Sequence, residues 1–156
     1  MENVIDVGQY IISKSIEDSF KIYGLSSCIG LVIYCESLKV LGVAHILLPS
    51  SNLNPELSKI SPAYFADTGV TALINEISSK YSCKKENIVA CIYGGADAKS
   101  NNDIFNIGTR NVAAVKSKLY EHNVTLKTAH TGGKLSRTLS VDVKTGKVNL
   151  NIQNFL

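Results

Sequence analysis

The sequence is poor in arginine and proline and has no long apolar run, and each shortage excludes a class of protein. Among 16 basic residues only Arg110 and Arg137 are arginine, and the net charge is just +3. Arginine is the residue best suited to reading phosphates and base edges, so we expect no nucleic-acid partner. Because no apolar run approaches the roughly 18 residues of a membrane span, we also expect no membrane insertion. Three prolines and 11 glycines exclude collagen-like and linker-like chains.

The composition indicates one folded domain. Of the 156 residues, 45% are hydrophobic and 19% are charged, whereas a disordered chain combines low hydrophobicity with high net charge. The length is typical of a single domain, residues 1–156. Residues 1–6 have neither the basic region nor the apolar core of a signal peptide, so we expect a cytoplasmic protein. The four cysteines form no C-x-x-C pair, and we expect free thiols in a reducing compartment.

The hydrophobic periodicity predicts more strands than helices. Apolar residues recur at helical spacing in 62–81 and 109–122, while 49–61 and 94–107 have the composition of loops. Strands are predicted at 4–13 with an interruption near Gly8, and at 19–23, 28–34, 39–48, 88–93, 124–130, 135–143 and 147–153. Because strands and helices do not alternate strictly, we predict an α+β fold. It would be a layered sandwich of mixed, largely antiparallel β-sheet with two main helices packed outside.

A cysteine and a histidine lie on two strands that follow one another in the sequence. Cys28 begins an apolar run after a short flexible segment, and His45 lies inside another apolar run, where an imidazole needs a partner. A hairpin with a two-residue turn places Cys28 directly opposite His45. A four-residue turn, Glu36 to Lys39, places the two diagonally on the same face. A three-residue turn puts them on opposite faces, so the pairing depends on the turn.

A Cys–His pair on one sheet face predicts acyl-transfer chemistry without a cofactor. Opposed side chains have Cβ atoms about 4.5–5.5 Å apart, within reach of a thiol–imidazole hydrogen bond. The imidazole is expected to lower the thiol pKa and later to protonate the leaving amine. Backbone N–H groups of 26–29 are candidate oxyanion donors. A zinc site on the same pair is an alternative, which needs two more ligands such as His130 or Cys35.

Short motifs in a fixed order extend over nearly the whole chain. They are Gly24–Cys28, Gly42–Pro49, Tyr64–Thr68, Tyr93–Ala96, Ile107–Asn111, Thr131–Gly133 followed by Arg137, and Thr145–Gly146. This ordered set resembles the CheD family, the chemoreceptor glutamine deamidases of bacterial and archaeal chemotaxis. The resemblance implies a toxin-deamidase-like fold. It also implies a protein-glutamine glutaminase that converts receptor glutamines to glutamates, with the chemoreceptor cytoplasmic domain and a CheC-type phosphatase as partners.

The resemblance also assigns the site residues. It places the catalytic cysteine on Cys28 and the histidine on His45. Where the family commonly has a threonine, this chain has Ile22, which cannot form a hydrogen bond through its side chain. Ser26, Ser27 or a backbone carbonyl would then orient the imidazole, and Ser27 is our candidate for the third catalytic residue. The substitution at Ile22 leaves open a second function, a catalytically weak binding module that docks the receptor or the phosphatase.

Overall fold

The computed structural model describes residues 2–97 and 105–155, which form two stacked β-sheets with helices on one side. The strands are β1 (Glu2–Val4), β2 (Tyr10–Ser13), β3 (Ser19–Leu25), β4 (Ile29–Cys35), β5 (Val40–Ile46), β6 (Ile88–Gly94), β7 (Thr125–Thr131), β8 (Leu135–Asp142) and β9 (Val148–Asn154). The α-helices are α1 (Pro55–Ile60), α2 (Ala66–Lys80) and α3 (Ile107–Glu121).

The two sheets have mixed strand directions. One has the order β1-β3-β8-β9 and the other the order β2-β5-β4-β6-β7. Neighbouring strands are antiparallel except for the parallel pairs β1–β3 and β6–β7. The predicted α+β sandwich of mixed, largely antiparallel sheet is therefore confirmed.

Helices α2 and α3 cover the outer face of the five-stranded sheet. Helix α2 buries Val70, Leu73, Ile74 and Ile77, which recur at the three- and four-residue spacing of one helix face. These side chains form one aliphatic cluster with the residues of β4, β5 and β6 that face the helices. The two main helices thus pack on the outside of the sandwich, as predicted.

The other face of the five-stranded sheet packs against the four-stranded sheet. Phe20, Ile22 and Leu139 are fully buried between the sheets. Gly30 of β4 faces this layer, because a Cβ there would lie 2.6 Å from Leu139 Cδ2 and 2.9 Å from Leu25 Cδ1. A glycine at this position allows the sheets to approach closely where the hairpin β4–β5 opens.

Three local predictions need correction or delimitation. The predicted loop 49–61 contains α1, because the Asn54 side chain accepts the Leu57 N–H and a proline occupies the first helical turn. The expectation of free thiols is wrong for Cys35 and Cys83, which form a disulfide, whereas Cys28 and Cys91 are free. Of the predicted loop 94–107, residues 98–104 lie outside the described part. None of the described helices has the length and apolar character of a membrane span.

Candidate active site

The turn between β4 and β5 decides where Cys28 lies relative to His45. Cys35 pairs with Val40 and Gly30 pairs with His45, so the turn contains the four residues 36–39. Lys39 adopts a positive φ of 52° in this turn. Of the three hairpins that the sequence allows, the structure thus has the one with a four-residue turn. Cys28, which directly precedes β4, is diagonal to His45 in that register.

Cys28 and His45 lie on the same face of the five-stranded sheet. His45 is paired with Gly30, which faces the four-stranded sheet, and paired residues of antiparallel strands share a face. Cys28 packs against the cluster between the sheets. The His45 ring also contacts Ile5, a member of that cluster.

His45 is held by a backbone carbonyl. Its ring is buried, with 7% of the residue exposed, and Nδ1 lies 3.1 Å from the carbonyl oxygen of Ile5. Because a carbonyl can only accept, Nδ1 carries the proton and donates it, which leaves Nε2 with the free lone pair. Burial lowers the pKa of His45, although the Ile5 hydrogen bond and the charge of Asp6 oppose that shift. The imidazole is therefore neutral at pH 7 and able to accept a proton.

In the structure the Ile5 carbonyl, and not the Ser27 hydroxyl, is bonded to the His45 ring. Ile5 is itself fixed, because its N–H donates to the Lys21 oxygen over 2.9 Å and only 4% of the residue is exposed. No hydrogen bond within the described residues joins the Ser27 hydroxyl to His45. Ile22 is fully buried in the layer between the sheets. Of the orienting groups left open by the sequence, the backbone carbonyl is the one observed.

Cys28 is a neutral thiol in this environment. The residue is half-buried, and burial raises the pKa of its thiol to about 11. The expectation that histidine lowers this pKa is wrong for the structure described here, since loss of hydration dominates. A thiol of this kind needs a base to remove its proton during attack, rather than a preformed ion pair.

The turn that carries Cys28, Ser26–Cys28, is fixed through its three carbonyls. The Ser26 oxygen accepts from the Ala96 N–H at 2.7 Å, and the Cys28 oxygen accepts from the Gly95 N–H at 2.9 Å. The Ser27 oxygen accepts from the Asn111 side chain at 2.9 Å. None of the three N–H groups of this turn donates to another described residue. They are therefore available as donors to an oxyanion.

The end of β6 and the segment that follows it form one wall of this turn. Gly94 has a φ of +112°, and a Cβ there would overlap the carbonyl oxygen of Cys28, so only glycine fits. Arg137, 2% exposed, donates to the Gly94 oxygen at 3.3 Å and to the Gly132 oxygen at 2.9 Å. Its Nε donates to Nδ1 of His130 at 2.8 Å. His130 is thus an acceptor for a buried cation.

The zinc alternative lacks a ligand set in the described part of the chain. Within residues 2–97 and 105–155, no three His, Cys, Asp or Glu side chains are grouped as a metal ion requires. Of the further ligands considered, Cys35 is in the disulfide and Nδ1 of His130 is bonded to Arg137.

Two features of the site were missed by the sequence analysis. The Ile5 carbonyl left no signal, because a backbone oxygen has no sequence signature and Ile5 follows β1, which lies in the other sheet. Asn111 did leave one, since a polar residue interrupts the apolar stripe of the second helix. It is fully buried and contacts both Ser27 and Leu47.

Comparison with known proteins agrees with the resemblance seen in the motifs. The family model of CheD, described as chemotactic sensory transduction, matches residues 47–152. The chain is 37% identical over 150 residues to "Probable chemoreceptor glutamine deamidase CheD" of Syntrophotalea carbinolica, covering 95% of this chain and 92% of that protein. It is 36% identical over 130 residues to "Chemoreceptor glutamine deamidase CheD" of Bacillus velezensis, covering 81% and 77%.

Among solved structures, YlmD from Geobacillus stearothermophilus is similar with a TM-score of 0.48 and 8% sequence identity, over 78% of this chain and 48% of that one. The family assignment rests on the sequence matches, which extend over most of the chain at more than a third identity. The chain belongs to the CheD family.

Proposed function

We propose that this protein is a chemoreceptor glutamine deamidase, which hydrolyses the side-chain amide of selected receptor glutamines to glutamate and ammonia. Its membership of the CheD family and the names of its relatives support this reaction. The single observation that carries the mechanism is that a half-buried thiol and a neutral imidazole lie diagonal to each other on one sheet face. The nitrogen Nδ1 of that imidazole is engaged by Ile5, which leaves Nε2 as the base.

The reaction begins with attack by Cys28. Its thiol adds to the amide carbon while His45 removes the proton, which is necessary because burial raises the thiol pKa to about 11. The negative oxygen of the tetrahedral intermediate accepts hydrogen bonds from the backbone N–H groups of Ser26–Cys28. By comparison with measured donor deletions, each such bond contributes about 3 kcal/mol to the transition state.

The intermediate then breaks down with His45 as an acid. The imidazolium gives its proton to the departing nitrogen, ammonia leaves, and a thioester to Cys28 remains. His45 next removes a proton from water, which attacks the thioester and releases glutamate and the free thiol. The overall change consumes one water and yields one ammonia per glutamine, so no cofactor is required.

The cellular setting follows from the same proposal. We place the protein in the cytoplasm as one domain, 1–156, acting on the cytoplasmic domain of a chemoreceptor, with a CheC-type phosphatase as its second partner. With two arginines in the chain, we continue to expect no nucleic-acid partner.

One experiment tests the proposal. The full-length protein is incubated with a purified receptor cytoplasmic fragment, and glutamine-to-glutamate conversion is followed by peptide mass together with released ammonia. We expect conversion with the wild type and none with Cys28→Ala. The matched control is Cys91→Ala, which removes the other free cysteine and is expected to retain activity. A wild type that binds the fragment but releases no ammonia would instead indicate the binding-module function.

A further inference from the structure

The pairing of β4 with β5 includes His45 but ends at Ile29, one residue short of Cys28. The last paired residues are Ile29 and Ile46, and beyond them the two segments are no longer paired. On one side, Leu47 and Leu48 both donate their N–H groups to the Tyr64 oxygen. On the other side, the Cys28 turn bonds to the segment after β6. Backbone pairing therefore does not fix the distance between the Cys28 turn and the segment that follows β5.

The side chain of Asn111 bridges the Cys28 turn and the segment that follows β5. Its Nδ2 lies 2.9 Å from the Ser27 oxygen and 2.9 Å from the Leu47 oxygen. Ser27 immediately precedes Cys28, and Leu47 is the second residue after His45. Both contacts are to acceptors, so the bridging group must supply two N–H bonds, which the amide of asparagine does. The same two contacts fix which end of the amide is the nitrogen.

Asn111 is unusual among the buried residues of α3. It is fully buried, and its neighbours on the buried face of that helix include Val115 and Leu119. Its Oδ1 is buried without a hydrogen-bond partner in the described residues. Burial of an unpaired amide oxygen is unfavourable, so the residue is poorly chosen for packing alone. The two Nδ2 bonds are the contribution that an aliphatic residue at this position would lack.

We infer that Asn111 is a positioning residue for the Cys28–His45 pair. It acts as a side-chain rung that replaces the missing backbone pairing and sets the distance between the chains carrying the thiol and the imidazole. It touches neither reacting group, and its effect passes through Ser27 and Leu47. The inference rests on the proposed function insofar as Cys28 and His45 act together. It adds a residue of α3 to a site otherwise built from the sheets and the connections between their strands.

The first test separates turnover from binding. With the receptor fragment as substrate, Asn111→Ala is expected to lower kcat by about 100-fold, the scale of misplacing a catalytic group by roughly 1 Å. KM is expected to change less than about twofold. Asn111→Ser keeps one donor and should fall between the wild type and Asn111→Ala, and it also serves if the alanine variant does not fold. Leu119→Ala, on the same helix face, controls for lost packing and should leave kcat within about twofold.

The second test needs no substrate. Alkylation of Cys28 by iodoacetamide, followed by peptide mapping, is measured for the wild type, Asn111→Ala, His45→Asn and the double variant. We expect each single variant to slow alkylation about tenfold, because thiol activation requires both groups. The double variant should be no more than about twofold slower than either single one, since non-additivity reports coupling. If Asn111 had only a structural role, the factors by which the two single variants slow alkylation would multiply in the double variant.

The outcomes distinguish the two proposals. If Asn111→Ala slows Cys28 alkylation by the same factor in the wild type and in His45→Asn, or does not slow it at all, the positioning role is overturned. The same holds for a change in KM with kcat preserved. If coupling is observed but the wild type deamidates no receptor fragment, the deamidase function fails and the positioning role stands. If the wild type deamidates and the alkylation effects multiply, only the positioning role fails.

Discussion

The two faces of the five-stranded sheet bury different chemistry. The face under α2 and α3 is lined by aliphatic side chains and by the Cys35–Cys83 disulfide. The face toward the four-stranded sheet has buried aliphatic residues too, but also His45 and Tyr93, with Cys28 and Cys91 at its margin. Burial raises the pKa of Tyr93, with Cys91 adding to the shift. The buried imidazole of His45 and the buried phenol of Tyr93 thus lie between the sheets, whereas the helix side mainly supplies packing.

This difference separates residues that stabilise the fold from residues that perform chemistry. A substitution of an aliphatic residue on the helix side should change the free energy of unfolding and leave the reactivity of Cys28 intact. A substitution of a polar group between the sheets should do the reverse. The predictions below test that separation.

The largest effect is expected from His45→Asn. Asparagine can still donate to the Ile5 carbonyl but has no basic nitrogen, so kcat for receptor deamidation should fall by about 10²–10⁴-fold, the usual contribution of a general base. Thermal unfolding should shift little. An intact kcat with a large loss of stability would show that His45 is a packing residue.

The second effect concerns Leu73, which is fully buried on the inner face of α2. Leu73→Ala should lower the free energy of unfolding by about 2–5 kcal/mol through lost burial and a residual cavity. Denaturant titration measures this loss. The rate of Cys28 alkylation, measured well below the unfolding midpoint, should match the wild type. A changed alkylation rate would mean that the two faces are not independent.

The third effect concerns the disulfide on the helix side. Cys35 and Cys83 are separated by 48 residues, and closing a loop of that length restricts the unfolded chain by up to about 4 kcal/mol in the chain-entropy model. The variant Cys35→Ala/Cys83→Ala should be less stable by up to that amount and should keep its deamidase activity. Thiol titration of the denatured wild type should find the two free cysteines, Cys28 and Cys91. Four thiols without a reductant would contradict the disulfide.

The smallest effect is a dependence on pH. Because burial lowers the pKa of His45 in the folded protein, the unfolded chain binds the proton more tightly. The stability contribution of neutral His45 is therefore present above about pH 6.5 and is lost as the pH falls through its folded pKa. The slope for one proton is at most about 1.4 kcal/mol per pH unit. Denaturation from pH 7 to 5 should show this loss in the wild type and not in His45→Asn.

The same pKa shift sets the acid limb of activity. Since His45 must be neutral to remove the thiol proton, kcat/KM should rise with pH and reach half its maximum below pH 6.5, the ordinary histidine value. A midpoint above that value would show that a different group limits attack. A pH–rate profile of the wild type, measured with the receptor fragment, decides the point.

The sequence predicted the layers of this fold better than the details of its site. Alternating and helical periodicities depend on burial, so the strands β3 to β9 and the helices α2 and α3 were anticipated. The strand predicted at 4–13 is divided in the structure into β1 and β2, which lie in different sheets. The sequence limited the arrangement of Cys28 and His45 to the few that short turns allow, but it could not select the turn length. Two-, three- and four-residue turns all fit the local sequence, and the positive φ of Lys39 has no strong signal at a lysine.

Other features depended on contacts between distant segments. The Ile5 oxygen reaches His45 from the residue that follows β1 of the other sheet, and no residue type marks a carbonyl for that role. Cys35 and Cys83 are far apart in sequence, and nothing in their spacing pairs them. Asn111 was visible as a polar residue in an apolar stripe, but its two acceptors, Ser27 and Leu47, could only be identified once β4, β5 and α3 were placed together.

The three bound carbonyls of Ser26–Cys28 have a consequence for substrate choice. The loop that carries Cys28, the proposed nucleophile, is anchored at successive residues to α3 and to the segment after β6, so it has little freedom to close around an incoming peptide. Adaptation must then come from the receptor, which has to present a glutamine on a protruding or locally pliable stretch. Selectivity among receptor glutamines would accordingly reflect how readily each one can be extended toward a rigid site.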